Sequence, residues 1–316
     1  MKPIQADRTA AMQTTLATSV TFDGTGLHQG QPVRLTLRPA PAGHGIVFRR
    51  TDVAGGPTDL PARWDHVEVT PLNTRPRVGD TTVSTIEHLM AALSGCGVHN
   101  ALVELDGPEV PIMDGSAAEF VRGIVRAGLS RMRPATRAIR ILDEVRVTQG
   151  DAWASLRPAT TLQIDFEIDF SDAAIGRQAK TLNMANGSFV HQLCDSRTFC
   201  RASDVEAMRA NGLALGGSVE NAVVVDGSRV LTPGGLRHAD EAVRHKMLDA
   251  LGDLYTAGAP ILGRYTGHRA GHNLTNRLLR ALFDRPDAFE WVTCSDRIAA
   301  RLPGHGVTED DLVAVA

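Results

Sequence analysis

Gln149-Gly150-Asp151-Ala152-Trp153-Ala154-Ser155-Leu156-Arg157-Pro158-Ala159 repeats the plan of an earlier stretch, Gln29-Gly30 through Leu37-Arg38-Pro39-Ala40. In both, a Gln-Gly turn opens a strand that closes on Leu-Arg-Pro-Ala. The earlier strand, 33–38, alternates apolar and polar residues, the period-2 pattern of a half-buried strand. Residues 39–43, Pro-Ala-Pro-Ala-Gly, break it, and 45–50 reads as the return strand. A helix is expected over 84–97, where Ile86, Leu89, Met90 and Leu93 share one face and Gly95 or Gly97 ends it. A buried strand follows at 101–105, then a turn at Asp114-Gly115 and a second helix over 116–129.

The second half follows the same order. A helix from about 240 to 257 precedes a strand at 260–263 and a glycine-bounded helix over 271–283. Helix, strand, glycine turn and helix thus occur once in each half. The chain reads as α+β, a duplicated domain with its joint near Met132-Arg133-Pro134-Ala135, giving units 1–132 and 133–316. Four shared letters alone would also fit coincidence, so the order of elements carries the duplication. Between 201 and 225 the second half has an insertion: a short helix around 205–209, the run Gly212-Leu213-Ala214-Leu215-Gly216-Gly217, and a strand at 223–225. Glycines beside small apolar residues suit a wall near a ligand, and equally an ordinary tight turn.

Bulk properties exclude several classes. Of 316 residues 43% are hydrophobic, yet no run approaches the roughly 18 apolar residues of a spanning helix. Residues 1–8 have no apolar run behind their charge, so no signal peptide is expected, and a cytoplasmic location follows. Cys96, Cys194, Cys200 and Cys294 never form a C-x-x-C pair, which argues against a disulfide framework and a thiolate metal site. A net charge of −3 argues against nucleic acid as a partner.

The sharpest chemical signal is His245-Lys246-Met247-Leu248-Asp249. Residues four apart on a helix share a face, so the His245 nitrogen and Asp249 oxygen can converge on one ion, and zinc accepts both donor types. Asp253 continues that stripe. The plain alternative is an i, i+4 surface pair. A third ligand is best supplied by His88, on the corresponding helix of the first half; three protein ligands and one open position suit a hydrolytic zinc. Ser84-Thr85-Ile86-Glu87 also reads as a capping box, which accounts for Glu87 but not for His88. Gly24-Thr25-Gly26-Leu27-His28-Gln29-Gly30 has the wrong spacing for a dinucleotide fingerprint and precedes a strand. No phosphate-loop lysine motif and no serine nucleophile elbow occurs. The other histidines, His28 among them, default to solvent or structural roles.

Taken with 24–28, 84–89, Pro111-Ile112-Met113-Asp114-Gly115-Ser116-Ala117, Ser196-Arg197-Thr198-Phe199, Leu215-Gly216-Gly217-Ser218, 243–249 and Ala270-Gly271-His272, the sequence resembles the UDP-3-O-acyl-N-acetylglucosamine deacetylases. The segments run in family order from about residue 15 to 283. The resemblance implies two β-α-α-β domains that sandwich their helices, each with an insertion, and hydrolysis of the acetamide of an amphipathic UDP-sugar in lipid A biosynthesis. It implies one zinc ion held by His88, His245 and Asp249, although iron(II) suits the same ligands. Glu87 becomes the general base, His272 the general acid with Asp253 beside it, and Lys246 and Thr198 the support of the oxyanion. Substrate contacts are expected from Phe199, Phe170, Arg269, Leu213 and Gly217, with 201–225 enclosing the acyl chain.

The chemistry is coherent. Zinc brings the pKa of water down to about 7, and the departing amine needs a second titrating group to protonate it. His272 begins a helix, whose dipole disfavours a cationic imidazole, and Asp253 has the charge to counter that. Three positions depart from the family pattern: Arg269 stands where a lysine is expected, Ala152 where a basic residue can occur, and Asn73 where some members have cysteine. The apolar tail 311–316 resembles tails through which some members are degraded, which would make a protease a partner; a frayed terminus is the plain account. Peripheral membrane contact stays open, as do an amidase for another acylated amino sugar and a silent homologue that only binds UDP-sugar. A silent binder would not need both an acid and a base.

Overall fold

A computed structural model of the chain describes residues 10–70 and 72–315, with side chains as far as 312. The signal-peptide reading of 1–8 and the end of the C-terminal tail therefore lie outside the described residues. Val33, Leu35 and Leu37 are buried while Arg34 and Arg38 are exposed, so their strand has one core face and one wet face. The first sheet holds β1 (Val20–Thr25), β2 (Pro32–Pro39), β3 (Ile46–Arg50), β4 (Thr58–Pro61) and β5 (Ala101–Leu105), in the order β1-β2-β5-β3-β4. Only the β5–β3 pair is parallel.

The return-strand reading of 45–50 is corrected here. β2 and β3 are not neighbours, because β5 lies between them and Val103 stands opposite both Leu37 and Phe48. Ala101, Val103 and Leu105 are buried, which suits β5 to the centre of the sheet. Pro39 and Pro41 each lack an amide donor, so the segment between β2 and β3 cannot run on as a hairpin ladder.

The second sheet holds β6 (Val145–Gln149), β7 (Ala152–Pro158), β8 (Leu162–Asp169), β9 (Arg177–Asn183) and β10 (Ile261–His268). Its pairs are β6–β7, β7–β10 and β8–β9 antiparallel and β8–β10 parallel, the same order and sense as in the first sheet. The two Leu-Arg-Pro segments close the corresponding strands β2 and β7. Strands Arg137–Ile141 and Phe289–Thr293 extend the second sheet beyond β10.

The helices among the described residues are α1 (Glu87–Gly95), α2 (Ala118–Ala127), α3 (Ser188–Gln192), α4 (Ala202–Ala210), α5 (Glu241–Tyr255), α6 (His272–Phe283) and a last short one, α7 (Asp296–Ala299). Every residue of α1 is buried, as are nearly all of α5. Helices buried all round belong to the interior of a fold. α1 packs on α5, and α5 packs in turn on β8, β9 and α6. One continuous core runs from Leu35 and Phe48 through Leu89 and Leu93 of α1 and Leu248 and Leu251 of α5 to Ile164 of the second sheet.

Glycine sets how closely α1 and α5 approach. A Cβ on Gly252 would lie 2.0 Å from the Glu87 carbonyl oxygen, so only hydrogen fits there. Two smaller pieces flank this layer. One is a three-stranded sheet over 67–82. The other is the insertion, in which the parallel strands Phe199–Arg201 and Val223–Asp226 are joined through α4. No helix among the described residues is long and apolar enough to cross a membrane.

Candidate metal centre and catalytic cavity

α1 supplies Glu87 and His88 from its first turn, and α5 supplies His245, Lys246, Asp249 and Asp253. The close approach of the helices at Gly252 brings these two sets together. One ligand atom from each of His88, His245 and Asp249 lies within 4.8 Å of the others, and all three residues are buried. His88 Nε2 is 3.5 Å and His245 Nε2 3.3 Å from Asp249 Oδ1, with the two rings perpendicular.

The donors fit a metal ion in their chemistry. His245 Nδ1 lies 3.0 Å from the Ser196 carbonyl oxygen, so Nδ1 carries the proton and donates it while Nε2 is left bare. Burial pushes this imidazole down to about 4, keeping it neutral. Burial works to raise Asp249, but His245 and Lys246 outweigh it and hold the carboxyl well below the usual carboxylate range. Asp249 Oδ1 is buried and has no hydrogen-bond partner. A neutral imidazole and an ionised carboxylate are the forms that bind metal, and the orphaned oxygen costs free energy unless a cation meets it.

Next to the triad stand two further titratable groups, Glu87 and His272. The capping-box reading of Glu87 is corrected: Ile86 is the N-cap and makes no side-chain bond. The Ser84 amide donates to the Pro108 carbonyl instead. Glu87 Oε2 accepts the Thr74 amide at 2.9 Å, which leaves Oε1 facing His272 Nε2 at 3.9 Å. Burial raises Glu87 above the usual carboxylate range although His272 and His88 oppose it, making it a stronger base. His272 opens α6, and its Nδ1 lies 2.9 Å from Asp253 Oδ2. Burial disfavours its charge, but Asp253 and Glu87 outweigh burial and raise it to about 9. Asp253 is itself held by the Thr74 hydroxyl. Thr74 thus bonds Glu87 through its amide and the partner of His272 through its hydroxyl.

These groups open into a cavity of 420 Å³. Its polar lining includes Glu87, His88, Thr198, His245, Asp249 and His272; its apolar lining includes Leu27, Leu72, Phe199, Val205, Met208, Ala214, Val219 and Val224. Most of the apolar wall comes from the 201–225 insertion. Gly217 lines it too. Lys246 reaches it indirectly, through Asp249 Oδ2 at 2.8 Å, and this contact raises the ammonium against the cost of burial.

Three expected contacts stand apart from the lining. Leu213 lies in the turn after α4, its amide on the Met208 carbonyl, and Ala214 takes the wall position. Phe170 packs edge-on against Phe199, 5.4 Å between ring centres, and meets the cavity only through that ring. Arg269 is exposed in the turn before α6, with φ +50° and its amide on the Glu167 carbonyl. Asn73 accepts from the Thr70 hydroxyl, and Ala152 pairs with Gln149 in the β6–β7 hairpin.

Several residues that position the site carry no motif. His28 was assigned no chemical role by the sequence, yet it lines the cavity, buried and with Nδ1 unpartnered. Its place in the Gly24–His28 segment was the one available signal. Thr74 and Gly252 had none, since each acts through a partner distant in sequence.

His88, His245 and Asp249 together could hold a metal ion, and Glu87 and His272 stand beside them with shifts of opposite use, a raised carboxylate and a raised imidazole. A donor set of this kind beside two titrating groups fits the class of metal-dependent hydrolases. Comparison with known proteins narrows it. Residues 13–284 match the family model described as LpxC, UDP-3-O-acyl N-acetylglycosamine deacetylase. Over 288 residues, 91% of this chain and 98% of the relative, the chain is 51% identical to the UDP-3-O-acyl-N-acetylglucosamine deacetylase of Phenylobacterium zucineum (strain HLK1). It is 45% identical to the protein of that name from Psychrobacter arcticus over 96% of both chains. To the Haemophilus influenzae one it is 45% identical over 90% of this chain and 94% of the relative. The chain belongs to the UDP-3-O-acyl N-acetylglycosamine deacetylase family.

Proposed function

We propose that this chain hydrolyses the acetamide of UDP-3-O-acyl-N-acetylglucosamine, releasing acetate and UDP-3-O-acyl-glucosamine for lipid A biosynthesis in the cytoplasm. The observation that carries this is the mixed lining of the 420 Å³ cavity. A hydrolytic cluster shares one space with an apolar wall, as an amphipathic acylated sugar requires. His88, His245 and Asp249 would hold one zinc ion, with iron(II) as the alternative the same donors suit. When bound, the ion supplies Lewis-acid activation of water and of the amide carbonyl.

The chain's own residues supply the remaining chemistry. Glu87 Oε1 takes a proton from the attacking water. His272 Nε2, kept protonated by Asp253, delivers a proton to the departing amine, so acid and base sit side by side with opposite tasks. The Thr198 hydroxyl and Lys246 ammonium support charge on the carbonyl oxygen. Phe199, Leu213, Gly217 and the rest of the insertion seat the acyl chain, while Phe170 and Arg269 bind beyond the cavity, toward the nucleotide. The two sheets of like pairing order are read as two copies of one unit, 1–132 and 133–316, whose helices meet at the site.

The test joins metal content to product. Purified protein should hold one equivalent of metal and release acetate from the UDP-acylated sugar; a chelator should abolish release and readdition of zinc restore it. Tight metal binding without acetate would overturn the enzyme assignment in favour of a binding protein.

A further inference from the structure

Glu109 is 2% exposed, and it lies outside every role assigned above. Its carboxylate is satisfied by backbone and hydroxyl donors. Oε1 accepts the His28 amide at 2.9 Å and the Thr85 hydroxyl at 2.8 Å. Oε2 accepts the Gln29 amide at 2.9 Å. Buried carboxylates are costly without such bonds, and bonds to an ionised acceptor are stronger than neutral ones.

The donors belong to two parts of the site. Thr85 stands two residues before Glu87 and has φ +60°, a costly conformation for a β-branched residue. Its hydroxyl bond to Glu109 helps hold that bend where α1 begins. His28 and Gln29 belong to the loop that carries the acyl wall: the Leu27 carbonyl accepts the Gly216 amide at 3.0 Å and the His28 carbonyl accepts the Leu215 amide at 3.1 Å. No slack exists in this path. A Cβ on Gly26 would lie 2.5 Å from Glu109 Oε2, and one on Gly216 would lie 2.2 Å from the Gly26 carbonyl oxygen.

We infer that Glu109 is a positioning residue that locks the start of α1 to the acyl wall, so that a chain seated on the wall brings the acetamide into register with Glu87 and makes the enzyme selective for the acylated sugar. The inference rests on the substrate reading above. It differs from a general structural role in one respect: loss of the lock should weaken the preference for acylated over unacylated substrate, beyond any loss of activity common to both.

The experiment compares kcat/KM for the UDP-acylated sugar with kcat/KM for the same UDP-sugar bearing a free 3-hydroxyl, at equal metal content. Glu109→Gln keeps the shape but turns a donor toward a backbone amide. The ratio of the two values should fall about tenfold or more, the scale of one lost charge-assisted hydrogen bond. Thr85→Val keeps the β-branched shape and deletes the hydroxyl, so the ratio should fall in the same direction by less. It also carries the test if Glu109→Gln does not fold. Equal losses on both substrates would overturn the inference and leave the substrate reading intact. A wild-type enzyme without acyl preference would overturn the substrate reading, and this inference with it.

Discussion

Replacing Asp253 by Asn tests the acid directly. The wild-type carboxylate lies 2.9 Å from His272 Nδ1, in a site where both side chains are almost wholly buried. A unit charge pair at that distance interacts by about 6 kcal/mol at an effective dielectric near 20, or about four pKa units as an upper bound. Asn retains an acceptor for Nδ1 and Glu87 still faces the ring, so a fall of one to three units is expected, the usual effect of one neighbouring charge. The sign follows from the role. An acid is active only while protonated, so the rate declines as pH rises through its pKa. Lowering the His272 value from about 9 moves that decline to lower pH. A dication on the triad would lower the imidazole in both proteins, so the displacement is read between them at equal metal content. The assay is acetate release as kcat/KM from pH 5 to 10. A basic limb that stays in place in Asp253→Asn would refute the argument that Asp253 holds the proton on His272.

Glu87→Gln should lower kcat by about 10²–10⁴-fold while the protein keeps its full metal content, since Glu87 lies outside the ligand triad; joint loss of metal and rate would make Glu87 a structural residue instead. Gly252→Ala forces a methyl to within 2.0 Å of the Glu87 carbonyl oxygen. Separation of α1 from α5 should cost about 1–3 kcal/mol and weaken metal binding, read as a lower Tm and faster loss of metal to a chelator; unchanged values would show that the helices do not define the site. Arg197 and Glu241 form an ion pair 8% and 1% exposed. Arg197→Met strands the carboxylate at a cost of about 3–5 kcal/mol, and Arg197→Met with Glu241→Leu should recover most of it in denaturant unfolding.

How far the sequence could be read depends on how local each cause is. His245 and Asp249 were visible because a helix puts residues four apart on one face, and that rule needs only the chain between them. His88 was readable as a third donor because the repeated order of elements set the helix opened by Glu87-His88 against the one carrying His245. The Leu-Arg-Pro echo pointed to two strands that occupy equivalent places, β2 and β7. Reading failed where a local rule met a stronger distant partner. Ser84 and Glu87 satisfy the capping-box pattern, yet the Thr74 amide takes the Glu87 carboxylate and the Pro108 carbonyl takes the Ser84 amide. Residues 45–50 have hairpin spacing from 33–38, yet a strand more than fifty residues further on fills the gap between them. Gly252 has no local signature, because what it accommodates is the backbone of α1, and Glu109 looks like any loop carboxylate until the loop at 28–29 and the bend at Thr85 close on it. The candidate metal donors His245 and Asp249 are written in helical periodicity, whereas their distance from His88 is set by contacts that only the folded chain creates.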